Sequence, residues 1–554
     1  MQLTRRLRGQ DRRYTEPLRY LILLLSVGFV SGSFAVTQDV TVSVTGGDIQ
    51  GVESEGITYF RGVPYAATTG GTNRFKGPQP VTPWVGTRDA SELGNACFPG
   101  TPGGWGITSE ESSEDCLFVN VATPTERDTD EAQPIMVWIH GGGWQDGSGG
   151  GIYDPQYLVN DGDLIVVTIN YRMGAFGFGW HESLNNTESS ALKGNYAMRD
   201  MIKALQWVQD NAATFGGDAS NVTIFGESAG GWSMCNLMAS PHAAGLFDKT
   251  IMESGGCPAM TETDAQDAMQ PVLDNLGCVG TDAEIRSCVE SATVEEIQTA
   301  SIGENLVNMS MAPVIEGDFM PQHPLAMIEQ GLHNKGPVML GTNHDEIPQL
   351  VFAGVVTSSE STDLMKTIFP NFWDRLYVKL HYNLTNFGTY SNMLGALQTD
   401  VFFRCQTRNV AGALYDNQDD NVYLYEFNPA LIPGTAIHAI EMLYLFLNPT
   451  PNLPISYDLH GDMLERWTSF AANGAPTTDD WWEPTWFSYN TITHNRYHLG
   501  GILDMEYPAI DRACGTLDDI STVRYMEQPD EWMMVFGTPL LTLVEGLLGG
   551  FGEE

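Results

Sequence analysis

Two patterns of apolar and polar positions alternate along this chain of 554 residues. One is a short, continuous apolar run, typical of a strand buried on both faces of a sheet. Such runs occupy residues 135–139, 164–169, 222–225, 338–340 and 422–427. The other is a three-residue apolar spacing, at Ile202, Leu205 and Val208, which predicts a helix over 201–212. The alternation predicts an α/β protein with a mainly parallel sheet, and the aromatic-rich stretch 365–392 is expected to be partly helical.

The N-terminus follows a different pattern. Six arginines come first, an apolar run over residues 20–30 follows, and the small residues Ser33 and Ala35 come next. This order is that of a secretory signal peptide and predicts cleavage after Ala35. The alternative is an uncleaved signal anchor, because the apolar run with its flanks just reaches the length of a membrane-spanning helix. No other boundary is evident, so we expect residues 1–35 to be the signal and 36–554 to form one domain.

The charge balance excludes several classes of partner. The chain has 69 acidic and 27 basic residues, and its formal charge is −42. Removal of the predicted signal, with its six arginines and two acidic residues, makes the charge −46. Binding to nucleic acid or to anionic lipid needs clustered Lys and Arg, so we expect neither. Membrane contact is expected only if the N-terminal segment remains as an anchor.

Cysteines and glycosylation sequons agree with secretion. The eight cysteines are an even number, as in secreted chains whose cysteines pair as disulfides. Asn-x-Ser/Thr sequons occur at Asn185, Asn221, Asn308 and Asn383, and we expect these to be glycosylation sites. The predicted location is therefore extracellular.

The strongest chemical signal is the segment VTIFGESAGG at 222–231. Its Gly-x-Ser-x-Gly pattern places Ser228 directly after a predicted strand and before a helix-compatible stretch. A serine on such a sharp turn is presented for nucleophilic attack, and the flanking glycines let strand and helix approach closely. The helix N-terminus would also favour developing negative charge. Ser228 is therefore the predicted nucleophile.

A glycine-rich loop follows another predicted strand. Residues 140–144 are His-Gly-Gly-Gly-Trp, and the three glycines leave backbone N–H groups accessible. Such donors can hold the oxyanion of an acyl-transfer intermediate, each worth roughly 3 kcal/mol of the barrier. A phosphate-binding loop is excluded, because no Gly-Lys-Ser/Thr follows.

Several longer segments carry a resemblance to a known family. With the two motifs above, the mature chain resembles the type-B carboxylesterase/lipase family, which includes the cholinesterases, over nearly its whole length. The segments are ITYFRGVPYA at 57–66, EDCLFVNV at 114–121, NYRMGAFGF at 170–178, ALQWVQDNAATFGGD at 204–218 and VTIFGESAGG at 222–231. The resemblance implies the α/β-hydrolase fold, with a large mainly parallel sheet flanked by helices, and hydrolysis of carboxylic esters without a cofactor or metal.

A serine nucleophile needs a base and an orienting carboxylate, which in α/β-hydrolases follow in the order acid, then histidine. His438 resembles the histidine of the family's His-Gly-x-Glu motif, although Ala439 replaces the usual glycine. Glu346, just past a predicted strand, stands where the family motif has its glutamate, and Asp345 is the alternative acid. We therefore expect a triad of Ser228, His438 and Glu346.

The resemblance also implies roles for residues around the triad. The N–H groups of Gly142, Gly143 and Ala229 would form the oxyanion hole. From its position beside Ser228, and not from the resemblance, Glu227 is expected either to tune the local field or simply to pack in the nucleophile turn. Ser254 is expected either to support the triad or to be a plain turn serine.

Three disulfides follow from the same resemblance: Cys97–Cys116, Cys278–Cys288 and Cys405–Cys514. Cys235 and Cys257 remain, either paired or as buried thiols. No Cys-x-x-Cys pair supports a zinc site, and no metal is expected.

The substrate positions argue against choline esters. Where a cholinesterase has aromatic acyl-pocket residues, this chain has Ala259, Val307 and Met309, and Gln349 replaces the aromatic residue after the acid. Because choline binding needs an aromatic cage, a secreted carboxylesterase for small-molecule esters is the leading expectation. The alternatives are a lipase or sterol esterase for insoluble lipid esters, with the Cys97–Cys116 loop as a lid, and a non-catalytic, neuroligin-like adhesion protein.

Overall fold

The computed structural model of the chain describes residues 39–98, 111–126, 131–184, 193–302, 311–347, 357–369, 371–429, 436–446, 456–478 and 484–500, together with Cys514 and Leu517. These residues belong to one compact unit. The predicted signal peptide at 1–35 lies outside them, as do Asn185, Val307, Asn308, Met309 and Gln349.

A 12-stranded sheet forms the centre of the described structure. The strands in chain order are β1 (Asp39–Val44), β2 (Gly47–Ser54), β3 (Ile57–Pro64), β4 (Thr87–Asp89), β5 (Ala96–Cys97), β6 (Ser112–Ser113), β7 (Phe118–Pro124), β8 (Gln133–Ile139), β9 (Ile165–Ile169), β10 (Gly217–Glu227), β11 (Lys249–Glu253), β12 (Val338–Asn343), β13 (Val422–Phe427) and β14 (Tyr497–Leu499). Across the sheet the order is β1-β2-β3-β7-β9-β8-β10-β11-β12-β13-β14, with β4 beside β2, while β5 and β6 pair separately. The ladder from β1 to β9 is antiparallel, and every pair from β9 to β14 is parallel.

Helices occupy the segments between these strands. They are α1 (Gln156–Gly162), α2 (Gly174–Phe178), α3 (Tyr196–Asn211), α4 (Ala229–Ala239), α5 (Glu262–Leu276), α6 (Asp282–Ser291), α7 (Val294–Ile302), α8 (Pro324–Glu329), α9 (Ser358–Ile368), α10 (Phe372–Val378), α11 (Leu384–Phe387), α12 (Tyr390–Thr399), α13 (Cys405–Asn417), α14 (Leu443–Phe446) and α15 (Tyr457–Asn473). One π-helical turn, Asp400–Arg404, joins α12 to α13. Short 3-10 turns occupy Gly71–Asn73, Glu182–Leu184, Ala212–Phe215, Pro241–Ala243 and Ile440–Met442.

The sheet separates two apolar layers, which explains why its strands are continuous apolar runs. Along β8, Ile135 and Val137 pack in the layer that contains residues of α3, α4 and α13. The alternate residues Met136 and Trp138 pack in the other layer, with residues of α1, α14 and α15. Because successive side chains of a strand point to opposite faces, a strand covered on both sides must be apolar at every position.

The predicted strands and helix are confirmed with shifted ends. The five apolar runs lie in β8, β9, β10, β12 and β13, and the predicted helix over 201–212 lies mostly within α3. The aromatic-rich stretch 365–392 contains parts or all of α9 to α12. Strand β11 was not predicted, because Lys249 and Glu253 put a charged residue at each end of only three other residues.

All eight cysteines lie among the described residues, and all are paired. The disulfides are Cys97–Cys116, Cys235–Cys257, Cys278–Cys288 and Cys405–Cys514. The pair that the sequence left open, Cys235–Cys257, joins helix α4 to the segment that follows β11. Among the described residues, no helix is both long enough and apolar enough to cross a membrane.

The two sequon asparagines within the described residues, Asn221 and Asn383, already use their side-chain amides in hydrogen bonds. The Asn221 amide nitrogen donates to the Ala472 carbonyl at 3.1 Å, and its oxygen accepts from Lys249. Asn383 caps α11 by accepting from the backbone N–H groups of Thr385 and Asn386. Glycosylation at these positions stays a prediction.

Candidate active site

The nucleophile turn lies between β10 and α4. Ser228 has φ 57° and ψ −121°, is 8% exposed, and donates its backbone N–H to the Glu253 carbonyl at 3.0 Å. A Cβ at Gly226 or Gly230 would stand 2.5 or 2.0 Å from the Ile139 carbonyl oxygen. Only glycine at both positions lets α4 pack this closely on the end of β8, and this packing fixes the turn that carries the serine.

The structure brings the three predicted triad residues together. The Nε2 atom of His438 is 2.8 Å from the Ser228 Oγ, and its Nδ1 is 2.7 Å from the Glu346 Oε2. The backbone N–H of His438 also donates to the Glu346 carbonyl at 3.1 Å. The imidazole therefore bridges hydroxyl and carboxylate in one hydrogen-bonded line.

Glu346, rather than Asp345, faces the histidine. The Glu346 Oε1 accepts from the backbone N–H of Asn343 and from the Ser254 hydroxyl, each at 2.7 Å. The side chain of Asp345 is about one-third exposed, and its Oδ1 lies 3.2 Å from the Nδ1 of His344. With one oxygen fixed by two donors, the other oxygen of Glu346 is left to orient the imidazole.

Ser254 and a glutamate that sequence reasoning missed complete the acid's surroundings. The Ser254 hydroxyl lies 3.3 Å from the Glu441 Oε1 as well as against Glu346. The side-chain amide of Asn343 donates to the other oxygen of Glu441. A signal for Glu441 was present in the sequence, since it follows His438 by three residues in the motif, but the motif says nothing of its contacts.

The glycine-rich loop lies against the nucleophile turn. A Cβ at Gly141 would stand 3.1 Å from the Ser228 Cβ, and Gly142 and Gly143 have φ angles of 95° and 63°. Among the described residues, none accepts a hydrogen bond from the backbone N–H of Gly143 or Ala229. These two donors therefore remain available beside the serine.

His140 supports this loop from a buried position. Its ring is buried, stacks on Tyr171 at 4.3 Å, and has its Nδ1 2.9 Å from the Gly141 carbonyl oxygen. Burial lowers the pKa of His140 to about 4, so the ring is neutral at pH 7.

Carboxylates dominate the electrostatics around His438. The Glu227 Oε1 lies 3.3 Å from the His438 Nε2, and both side chains are buried. Burial by itself disfavours the imidazolium, but the charges of Glu227, Glu346 and Glu441 outweigh it and raise the pKa of His438 to about 9. Burial also raises the pKa of Glu227 well above its usual range and that of Glu441 to about 7.

Aromatic rings line the surroundings of the serine and the histidine. The rings of Phe403 and His438 are 4.6 Å apart. Trp232, four residues after Ser228, packs against Trp144 at 5.3 Å, and the Trp144 indole N–H donates to the Ser233 hydroxyl at 2.9 Å. Phe403 therefore gives the imidazole an apolar neighbour, and the two tryptophans pack beside the helix that begins after Ser228.

Other histidines lie outside this arrangement. His242 is 3.1 Å from Asp318, and the His460 Nδ1 lies 2.8 Å from the Tyr444 carbonyl oxygen. Within the described ranges, no group of three or more His, Cys, Asp or Glu side chains is arranged to hold a metal ion.

Comparisons with known proteins agree with the fold and the motifs. The model of the carboxylesterase family matches residues 38–501. The para-nitrobenzyl esterase of Bacillus subtilis (strain 168) is 30% identical over 478 residues, which cover 83% of this chain and 94% of the relative. The acetylcholinesterase of Leptinotarsa decemlineata is 29% identical over 507 residues, which cover 80% of each chain.

Solved structures show the same likeness. Two structures of a PNB esterase are 30% identical to this chain and have TM-scores of 0.72 and 0.73. They cover 83% and 85% of this chain, which in turn covers 95% and 99% of the esterase chains. The chain therefore belongs to the carboxylesterase family, has the α/β-hydrolase fold and is a carboxylic ester hydrolase.

Proposed function

We propose that this protein is a secreted serine carboxylesterase that works through an acyl-enzyme and a Ser228–His438–Glu346 triad. The observation that carries the proposal is the hydrogen-bonded line from the Ser228 Oγ through both nitrogens of His438 to Glu346. Nucleophile, base and orienting carboxylate stand in the order that acyl transfer by a serine requires. The same geometry counts against a non-catalytic adhesion protein, which has no use for a polarised serine.

The mechanism follows from these contacts. Ser228 attacks the ester carbonyl while the Nε2 of His438 takes its proton, and Glu346 holds the imidazole tautomer and stabilises its cation. The N–H groups of Gly142, Gly143 and Ala229 hold the oxyanion. His438 then protonates the departing alcohol. Water enters, gives a proton to His438 and attacks the acyl carbonyl, which releases the carboxylic acid and restores the serine.

Extracellular location belongs to the same proposal. Four disulfides favour folding in an oxidising compartment. The basic, apolar and small-residue order of residues 1–35 supports entry into the secretory route.

The decisive experiment is Ser228→Ala, assayed on a nitrophenyl ester. We expect hydrolysis to fall by at least ~10³-fold, because the proposed acyl intermediate forms on the Ser228 Oγ. Ser240→Ala is the matched control: this serine is also buried, lies at the other end of helix α4, and donates to the Phe319 carbonyl at 2.9 Å. It should keep its activity. Unchanged hydrolysis by Ser228→Ala would refute the triad.

An exposed apolar surface favours a second candidate, a lipase or sterol esterase for insoluble esters. On α10, α11 and the turn between them, large apolar side chains are 41–71% exposed: Phe372, Trp373, Leu376, Leu380 and Leu384. Aromatic and aliphatic side chains of this kind favour contact with a lipid–water interface.

Measuring the rate as the ester concentration crosses its solubility limit separates the two candidates. An esterase saturates below the limit, whereas a lipase shows a jump in rate above it. With a lipase, Trp373→Ser with Leu380→Ser should remove the jump and leave the rate on dissolved ester unchanged.

A further inference from the structure

The π-helical turn Asp400–Arg404 lies beside the proposed triad, and the mechanism above makes no use of its charged residues. The ring of Phe403, in this turn, contacts the ring of His438. The next residue, Arg404, is 9% exposed although it carries a full charge. A buried charge is costly unless it is paired and hydrogen-bonded, so the partners of Arg404 indicate what it does.

Arg404 bonds the turn that carries the proposed acid. Its Nη2 donates to the His344 carbonyl oxygen at 2.6 Å, two residues before Glu346. Its Nη1 bonds the Asp400 carboxylate, and the buried carboxylate of Glu426 lies 3.9 Å from the Nη2. The fork of the guanidinium thus connects the π-helical turn to the backbone of the turn at 343–346.

The remaining contacts of that turn explain why this bond matters. The His344 N–H donates to the Phe427 carbonyl at 3.0 Å, and the Asp345 N–H to the Ala436 carbonyl at 2.9 Å. Both hold the turn against β13 and the segment that leads to His438. Arg404 holds it from a different element, on the side of α12 and α13, so that the turn is fixed between two supports.

Arg404 is itself fixed from behind. The hydroxyl of the buried Tyr382 donates to the second oxygen of Asp400 at 2.6 Å. The Ile347 N–H donates to the Thr399 hydroxyl at 3.1 Å, a second bond between this helical segment and the acid's turn. Tyr382, Asp400 and Arg404 therefore form a chain of hydrogen bonds. The chain ends on the His344 carbonyl oxygen, two residues before Glu346.

We propose that Arg404, held in place by Asp400 and Tyr382, is a positioning residue for Glu346 in ester hydrolysis. This inference rests on the proposed triad. A guanidinium is planar and donates in two directions at a fixed angle, whereas the ammonium of lysine is a single point that cannot bond Asp400 and the His344 carbonyl in the same geometry. Without the fork, the turn loses one support, and the carboxylate moves relative to the imidazole.

The test compares Arg404→Lys with a matched control, Arg466→Lys. Arg466 is also buried, also bonds an aspartate four residues earlier (Asp462, at 2.6 Å), and lies on α15, where it donates to the Tyr497 hydroxyl at 2.7 Å. Both variants are expected to unfold at lower temperature. Only Arg404→Lys should lower kcat, by about 10- to 100-fold with KM changed little, since small displacements at a reacting centre cost this much.

The pH profile of kcat/KM separates positioning from a merely structural role. The hydrogen bond that the His438 Nδ1–H donates to Glu346 contributes to the raised pKa of His438, so a looser carboxylate lowers that pKa. The acid limb of the profile is the pH range in which protonation of His438 lowers kcat/KM. This limb should move to lower pH in Arg404→Lys and stay in place in Arg466→Lys. Tyr382→Phe removes one bond from Asp400 without removing a charge, and should shift the limb in the same direction by a smaller amount.

The outcomes are distinct. A wild-type kcat and acid limb in Arg404→Lys, or equal shifts in both arginine variants, would overturn the inference. If Arg404→Lys does not fold, Tyr382→Phe decides, and an unmoved limb there also overturns it. Hydrolysis that survives Ser228→Ala defeats the proposed triad itself, whereas hydrolysis lost in Ser228→Ala but insensitive to Arg404 defeats only the positioning role.

Discussion

Glu227 and Glu253 end adjacent parallel strands, β10 and β11, and pair with each other in register. Both are buried, and burial raises the pKa of both carboxyls. Their partners differ. Glu227 stands 3.3 Å from the His438 Nε2, whereas the Oε1 of Glu253 accepts from the Trp467 indole N–H at 2.9 Å.

The difference predicts that Glu227 affects the reaction, whereas Glu253 affects stability. A buried carboxylate opposite an imidazole attracts the positive charge that the imidazole acquires when it gains a proton during the reaction. A buried carboxyl opposite an indole has a donor but no cation, so burial and the charge of Glu441 raise its pKa to about 8. We therefore expect the titration of Glu253 to affect the free energy of unfolding rather than the reaction.

The variant with the largest expected effect on this contrast is Glu227→Gln. Removing the carboxylate nearest the Nε2 takes away an attraction that raises the pKa of His438 to about 9, so the imidazole becomes a weaker base. The acid limb of kcat/KM should move to lower pH by about one unit, and kcat should fall by about 10- to 100-fold because the imidazolium loses a counter-charge. A pH–rate profile on a nitrophenyl ester measures both, and an unmoved limb would show that Glu227 only packs.

Glu253→Gln is the matched variant, and it should affect stability only. Glutamine keeps an acceptor for Trp467, so kcat should stay within about threefold of wild type. The pKa of Glu253 in the folded state is about 8, above the usual 4.5. The contribution of the protonated Glu253 to the free energy of unfolding is therefore complete below about pH 4.5 and is lost as pH rises towards 8. The glutamine variant lacks this loss and should gain about 1–3 kcal/mol relative to wild type between pH 5 and pH 8. Parallel curves of Tm against pH for the two proteins would contradict this assignment.

The smallest expected effect is that of Ala439→Gly, which changes the backbone beside His438 and no charge. Ala439 has φ 68°, a left-handed conformation that costs an L-residue about 1 kcal/mol and a glycine almost nothing. Glycine also gains entropy in the unfolded chain, so the net gain in stability should stay below about 1 kcal/mol, a Tm rise of about 1–2 °C. Steady-state kinetics should be unchanged, and a shifted pH profile would show that this backbone conformation, as well as the carboxylates, tunes the base.

Local pattern was enough to predict most of the parallel sheet, because strands covered on both faces need apolar residues throughout. It failed for β11, whose charged ends are buried by long-range partners such as Asn221 and Trp467. The motifs predicted the residues of the proposed triad by their order along the chain. They could not show that Ser254 contacts both Glu346 and Glu441, or that Arg404 bonds the acid's turn, because those contacts join segments far apart in sequence.

The spacing of the proposed triad has a consequence for how the protein folds to its active form. Ser228 and His438 are separated by 210 positions, and Glu346 and His438 by 92. Contacts between such distant segments form late, since long loops must close first. The hydrogen-bonded line from Ser228 to Glu346 forms only when β10 and β12 lie in one sheet and the segment after β13 that carries His438 has packed against them. Recovery of esterase activity during refolding therefore reports the last tertiary contacts, and it should lag behind the return of helical circular dichroism.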